Sequence, residues 1–229
     1  MTINQAHNYT KLELDKTSSL TLPSFEEEEI DYWLDDAILR FAKQKYSGAN
    51  VKGESFEQSQ KRIDDLRTLI AEDSITTSTT GAYSNSKVFD LTALDPAYLF
   101  SLREDADITY KGINSRVKVT STTHDRVNMK LNDPHSEHKI NFNTASPLRL
   151  FVGNNIVLIG DSTYTINSIN MSYIKVPTKM EDVLDRDEEY EDLTDQAMLE
   201  VVKMAANSML ENIESQRYQT HSLETSLSD

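Results

Sequence analysis

Apolar residues recur at steps of three and four from Ile30 through Trp33, Leu34, Ala37 and Ile38 to Phe41. That period predicts an amphipathic helix over about 25–46. Ser24, with Glu27 three residues on, has the form of a capping box. Glu26, Glu27, Glu28 and Glu29 put negative charge at the helix start, where the dipole favours it, and Arg40, Lys43 and Lys45 lie at the other end. A narrower stripe, Phe56, Ile63, Leu66 and Ile70, predicts a second helix over about 54–72. The short connection through Gly48 and Gly53 makes the two an antiparallel hairpin. A third stripe, Leu193, Ala197, Val201, Ala205 and Met209, widened by Met198, Val202 and Ile213, predicts a helix over about 187–214. Two helices alone would leave their stripes uncovered, so the economical arrangement folds the last helix back onto the first two.

The period changes between the helical stretches. VFDL, the run from Tyr98 to Leu102, RVKVTSTT, LRLFV, NIVLIG and TYTINSINMSYIKV are short and rich in β-branched and aromatic residues, as strands are. Gly160-Asp161-Ser162 reads as a hairpin turn between the last two. Residues 125–147 are polar, with two prolines, and predict a long loop or a short helix flanked by loops. SITTSTTG reads as an exposed linker. Residues 1–23 show no clear period and read as an arm, ordered only where something holds it. The expected fold is therefore α+β. A helical bundle (24–75 and 185–214) carries an inserted antiparallel β domain (76–184), with a polar tail over 215–229.

Charge and composition narrow the partners. The chain has 229 residues, of which 38% are hydrophobic, so its core is thin. A net charge of −15 argues against a nucleic-acid-binding surface, which needs clustered Lys and Arg. Acidic walls are compatible with DNA sliding past. The β block is nearly neutral, and the last helix with its approach is strongly acidic. The absence of cysteine removes disulfides and thiolate metal sites. No apolar run reaches 18 residues, so no membrane span is expected. MTINQAHNYTKLELDK lacks the basic start and apolar stretch of a signal peptide.

Candidate chemistry is sparse. His135 and His138 are three apart beside Asp133 and Glu137, a spacing that puts two imidazoles on one metal if the segment is helical. No third ligand accompanies them at a recognisable spacing, so a polar loop is the better reading. His124-Asp125 has the form of a base and its orienter, without a nucleophile motif. Ser162 and Asp161 are adjacent on a turn and point apart. Four consecutive glutamates cannot converge on one face of a helix. No phosphate-binding glycine loop occurs among six glycines. The expectation is a non-enzyme with no cofactor and no metal. The competing class is a small β-rich binding or enzymatic domain using His124, His135 and His138.

The run DYWLDDAILRFAKQKYSGANVKGESFEQSQKRIDDLRTLI resembles the helical hairpin of ring proteins stacked below the portal in crAss-like tailed phages. The matching positions include Leu34, Phe41, Tyr46, Gly53, Phe56, Gln58, Lys61, Arg62, Asp64, Asp65 and Leu66. His124-Asp125, Asp133-Pro134, Pro147-Leu148-Arg149, Tyr173-Ile174-Lys175 with Pro177, and Glu211 to Tyr218 continue it. The resemblance covers most of the chain after residue 24 and leaves out the arm and the Ser/Thr-rich linker. It implies a structural virion protein at the head-tail junction, assembled in the host cytoplasm. The implied assembly is a twelve-fold homo-oligomeric ring connecting portal to tail. Its implied partners are the portal and other ring or tail proteins, with DNA passing through unread and no membrane contact. Head-tail adaptors of short-tailed phages, whose C-terminal tails reach up to the portal, suggest that Arg217, Tyr218, Gln219, His221 and Leu223 bind the portal or a neighbouring subunit.

Overall fold

The computed structural model describes residues 1–17, 25–47, 64–139, 145–183 and 185–212. The chain is α+β with antiparallel sheets and divides into two units. Unit 1 is Met1–Leu69 with Pro177–Asp229, and unit 2 is Ile70–Val176.

Unit 1 is helical. Its first helix, α1, spans Ile3–Thr17, where the sequence shows no apolar period. The reason lies in the stripe it buries: Ile3, Ala6, His7, Thr10 and Leu14, spaced as one helical face but with two polar members. Tyr9 and Leu12 point outward and blur the pattern further. Helix α2 spans Glu27–Ser47 and buries Ile30, Leu34, Ala37, Ile38 and Phe41 as the period predicts. Its start differs from the predicted box: Glu29 reaches back to the Glu26 N–H at 3.0 Å, which is half of a capping box begun two residues later. Ser24 lies outside the described residues.

The predicted second helix lies largely outside them too. Its described end is helical over 64–66 and tightens into a 3₁₀ turn, Arg67–Leu69. The predicted continuation to 72 is wrong, because Ile70 opens a strand. The last helix, α4 (α3 belongs to unit 2), spans Asp195–Asn212 and starts later than the predicted 187. Thr194 caps it through the Ala197 N–H at 3.3 Å. The segment before it is pinned in irregular form instead. Asp192 accepts the Thr178 N–H at 2.6 Å, its carbonyl accepts the Thr68 hydroxyl at 2.6 Å, and Tyr190 donates to the Thr178 carbonyl at 2.6 Å. Ala197, Val201, Ala205 and Met209 form the buried face of α4, with Met198 and Val202 beside them. Both α1 and α2 pack on α4.

Unit 2 is built from two sheets. The strands are β1 Ile70–Ile75, β2 Thr79–Thr80, β3 Ser86–Asp90, β4 Tyr98–Tyr110, β5 Ile113–Lys118, β6 Thr120–Ser121, β7 Leu148–Val152, β8 Asn155–Ile159 and β9 Thr165–Lys175. One sheet runs β1-β9-β4-β5, antiparallel throughout; the other runs β2-β3-β8-β7-β6. The predicted Ser/Thr-rich linker thus contributes parts of two edge strands, which tolerate polar side chains because one side stays wet.

Gly160-Asp161-Ser162 does not close a hairpin. β8 and β9 belong to different sheets, so this turn carries the chain from one layer to the other. The tight hairpin turns are elsewhere. Lys111-Gly112, both with positive φ, joins β4 to β5, and Gly153-Asn154 joins β7 to β8.

Alternation along the strands fixes the layers. Phe89, Ile156 and Leu158 of one sheet meet Ala106, Ile108, Ile169, Met171 and Tyr173 of the other in a common core. On the far face of the five-stranded sheet, Leu148, Leu150, Val157 and Ile159 pack with Val127 and Leu131. Those two residues come from helix α3, Val127–Asn132, inside the predicted 125–147 loop. The helix is there because a two-faced apolar sheet needs a second cover.

Candidate functional site

Each unit carries one conspicuous polar assembly. In unit 1 it surrounds Asp31, which the period of α2 places on the helix face turned inward. The carboxylate is buried and receives two partners. His7 Nε2 stands 2.6 Å from one oxygen, and an Arg186 guanidinium nitrogen stands 2.7 Å from the other. Arg186 also reaches Glu27 at 3.5 Å, and its carbonyl accepts the Asn4 N–H at 3.3 Å. One turn along α2, Asp35 accepts the Met180 N–H at 3.0 Å. Burial raises the Asp35 carboxyl above its usual range, with that N–H acting against the rise. An acidic cleft of about 550 Å³ lies beside this group, lined by Asp31, Tyr32, Asp35, Lys179 and Glu181 among others.

His7 with Asp31 has the outline of a base and its orienter. Both are nearly inaccessible, at 3% and 5% exposure, and Arg186 already balances the carboxylate. The arrangement ties α1, α2 and the 185–187 segment together. His7 escaped the sequence reading. The signal was there in its spacing, four residues after Ile3 and three before Thr10 on one face.

A buried cation, Lys45, sits near the end of α2. Its ammonium is 2.8 Å from Glu200 of α4 and 3.6 Å from Asp65, and lies 5.0 Å over the Phe41 ring. This links three segments far apart in sequence.

In unit 2 the outward face of the four-stranded sheet is a polar ladder. Asp107 accepts from Arg116 at 3.0 Å, from Asn170 at 2.8 Å and from Ser168 at 3.1 Å. The hydrogen bond from Arg116 is the main reason its carboxyl is held below the usual range. Arg103 pairs with Asp105 at 2.7 Å, and Ser172 donates to Glu72 at 2.9 Å. Between the sheets Arg149 pairs with Glu104 and stacks 4.3 Å over the Phe151 ring.

The histidines singled out from sequence are each held locally. His124 is exposed and makes a 2.9 Å hydrogen bond with the Phe151 carbonyl. His135 is exposed, and its own N–H is tied to Asp133 at 2.9 Å. His138 is buried, with Nδ1 3.0 Å from the Ser136 hydroxyl, and its carbonyl accepts the Tyr164 hydroxyl at 2.8 Å. Burial lowers the pKa of its imidazole, and Lys139 adds to the effect. Among the described residues no three His, Asp, Glu or Cys side chains group as a metal cluster would. No helix of the described residues is long and apolar enough to cross a membrane. Arg217, Tyr218, Gln219, His221 and Leu223 lie outside the described residues.

Residues 1–187 match the family model described as phage tail ring protein 3/4, of the crAss type. The match takes in α1, which the resemblance read from the sequence left out, and stops before α4 and the tail. No curated protein matches the chain.

Proposed function

We propose, because this chain belongs to the phage tail ring protein 3/4 family, that it forms one ring of the stack between the portal and the tail. The family is one of structural tail-ring components, and a ring is an oligomer, so the chain's work is assembly within the virion. The observation that carries the reading is a family match over 187 of 229 residues.

Twelve copies and the position at the head-tail junction follow from the resemblance. The net charge of −15 suits a wall past which DNA moves without being read. Unit 1 is proposed to be an antiparallel bundle, supported by the packing of α1 and α2 on α4. The polar segment 215–229, with Arg217, Tyr218, Gln219, His221 and Leu223, is proposed to dock on the portal or a neighbouring copy. A segment with so few apolar side chains cannot offset its own ordering entropy, about 1–2 kcal/mol per residue, without a partner.

Co-sedimentation with the portal tests this. The full chain should dock on the portal and appear as a ring in electron micrographs. A chain truncated after Glu214 should melt at nearly the same temperature and fail to dock. Equal docking of both would remove the tail from the mechanism. Failure of the full chain to dock on the portal, or to form any ring, would overturn the placement.

A further inference from the structure

The four-stranded sheet of unit 2 ends in two edges, β1 and β5, and among the described residues no strand pairs with the far side of either. β5 is well suited to take one. It contains no Pro or Gly, pairs with β4 in an unbroken register, and exposes five of its six residues. The irregularities of this sheet are confined to the β4–β9 pairing. An edge strand carries a row of backbone donors and acceptors open to another chain.

Three observations identify that chain. The first is charge. β5 carries Arg116 and Lys118, and β1 carries Glu72 and Asp73. Among the described residues Lys118 has no anionic partner and Glu72 has no cationic one. Pairing β5 with β5 would bring two cationic strands together, and β1 with β1 two acidic ones. The second is direction. Four strands, each antiparallel to the next, leave β1 and β5 running in opposite senses. A copy that continues the sheet therefore lays its β1 antiparallel to β5, in the pattern the sheet already uses. The third is register. Setting six residues on six, Ile70 opposite Lys118 through Ile75 opposite Ile113, keeps both faces in phase. Glu72 then faces Arg116, with Lys118 diagonal to it, on the polar side. Ala71 faces Val117 on the core side.

We propose that β1 of one copy adds to β5 of the next, so that the four-stranded sheets run continuously around the oligomer. This rests on the ring reading and supplies its subunit contact. Opposite edges make the contact head-to-tail, the kind that repeats until it closes. At about 4.8 Å per strand, each copy advances the sheet by roughly 19 Å.

The absence of native cysteines makes the test clean. In the stated register Ser74 and Asn114 of adjacent copies face each other. The full-length chain with Ser74→Cys and Asn114→Cys is oxidised without denaturant and run on non-reducing gels, with the same sample imaged by electron microscopy. A ladder of multiples from the double variant, absent from either single variant, is expected. Rings without a ladder would overturn the edge pairing and leave the ring reading standing. Monomers by light scattering at every concentration, with or without portal, would overturn both. Lys118→Glu should weaken association by about threefold, the order expected when one diagonal cross-strand charge pair is reversed. A Lys118→Glu chain of unchanged melting temperature that assembles like the native one would also overturn the pairing.

Discussion

Asp31 holds three segments with one carboxylate: His7 of α1, its own helix α2, and Arg186. Replacing the carboxylate with an amide removes the charge and leaves one acceptor oxygen for the His7 imidazole and the Arg186 guanidinium, with an NH2 donor facing the other. Asp31→Asn should therefore lower the urea-unfolding free energy by about 3 kcal/mol, within the range for breaking a buried pair. Arg186→Gln should cost less, since the Arg186 side chain retains 31% exposure and water can answer its loss. An equal or larger loss at Arg186 would mean that the 185–187 segment, not the charge, is what Asp31 holds. His138 supplies a pH test. Its folded pKa is lowered by burial. Above the ordinary imidazole range both folded and unfolded chains are neutral there, so it contributes no slope. As pH falls through that range the unfolded chain takes the proton first, and stability declines down to the lowered folded value, by at most about 1.4 kcal/mol per pH unit. Melts from pH 8 to pH 5 should show a shallower decline for His138→Gln than for the native chain. The polar residues that matter to unit 1 were poorly legible in sequence. A buried His or Asp looks like any other polar residue until its helical face is known, and Asp31 stands in a run of acids that reads as a solvated helix start.

At the level of elements, apolar period was a good guide where a stripe was purely apolar. Phe41 on α2 and Val201 on α4 are both at most 1% exposed, on helices that pack together. Phe41→Ala should cost about 3–5 kcal/mol and Val201→Ala somewhat less, by lost burial and the cavity left behind. Unfolding midpoints that barely move for both would show that these faces do not form a core. Helix α1 was illegible for the opposite reason: Thr10 and His7 occupy its buried face, and Thr10 bonds back to the Ala6 carbonyl at 2.9 Å. The strand content of unit 2 was readable from β-branched runs, but its layering was not. A turn such as Gly160-Asp161-Ser162 looks the same whether the next strand pairs with the last or crosses to another sheet. Helix α3 was missed as a definite element because six residues show less than two turns of period, and Met129 on it is exposed.

Across the whole molecule, unit 2 is continuous in sequence and unit 1 is not. The ends of unit 2 lie side by side, since Ile70 pairs with Ile174. Residues 70–176 expressed alone should therefore fold, with a single cooperative melt and strand-rich circular dichroism. A chain of this length that stays unstructured would show that its two-sheet core needs unit 1. The same split sets a schedule for the protein's birth. Lys45 waits for Glu200, 155 residues later, and the faces of α1 and α2 that α4 covers wait with it. At about 5–20 residues per second that delay is roughly 8–30 s. In that interval a complete β unit can form on the ribosome while the helical faces destined for α4 stand uncovered. A crowded infected cell, filling with copies of one ring protein, gives each such face many identical neighbours to stick to before its own last helix arrives.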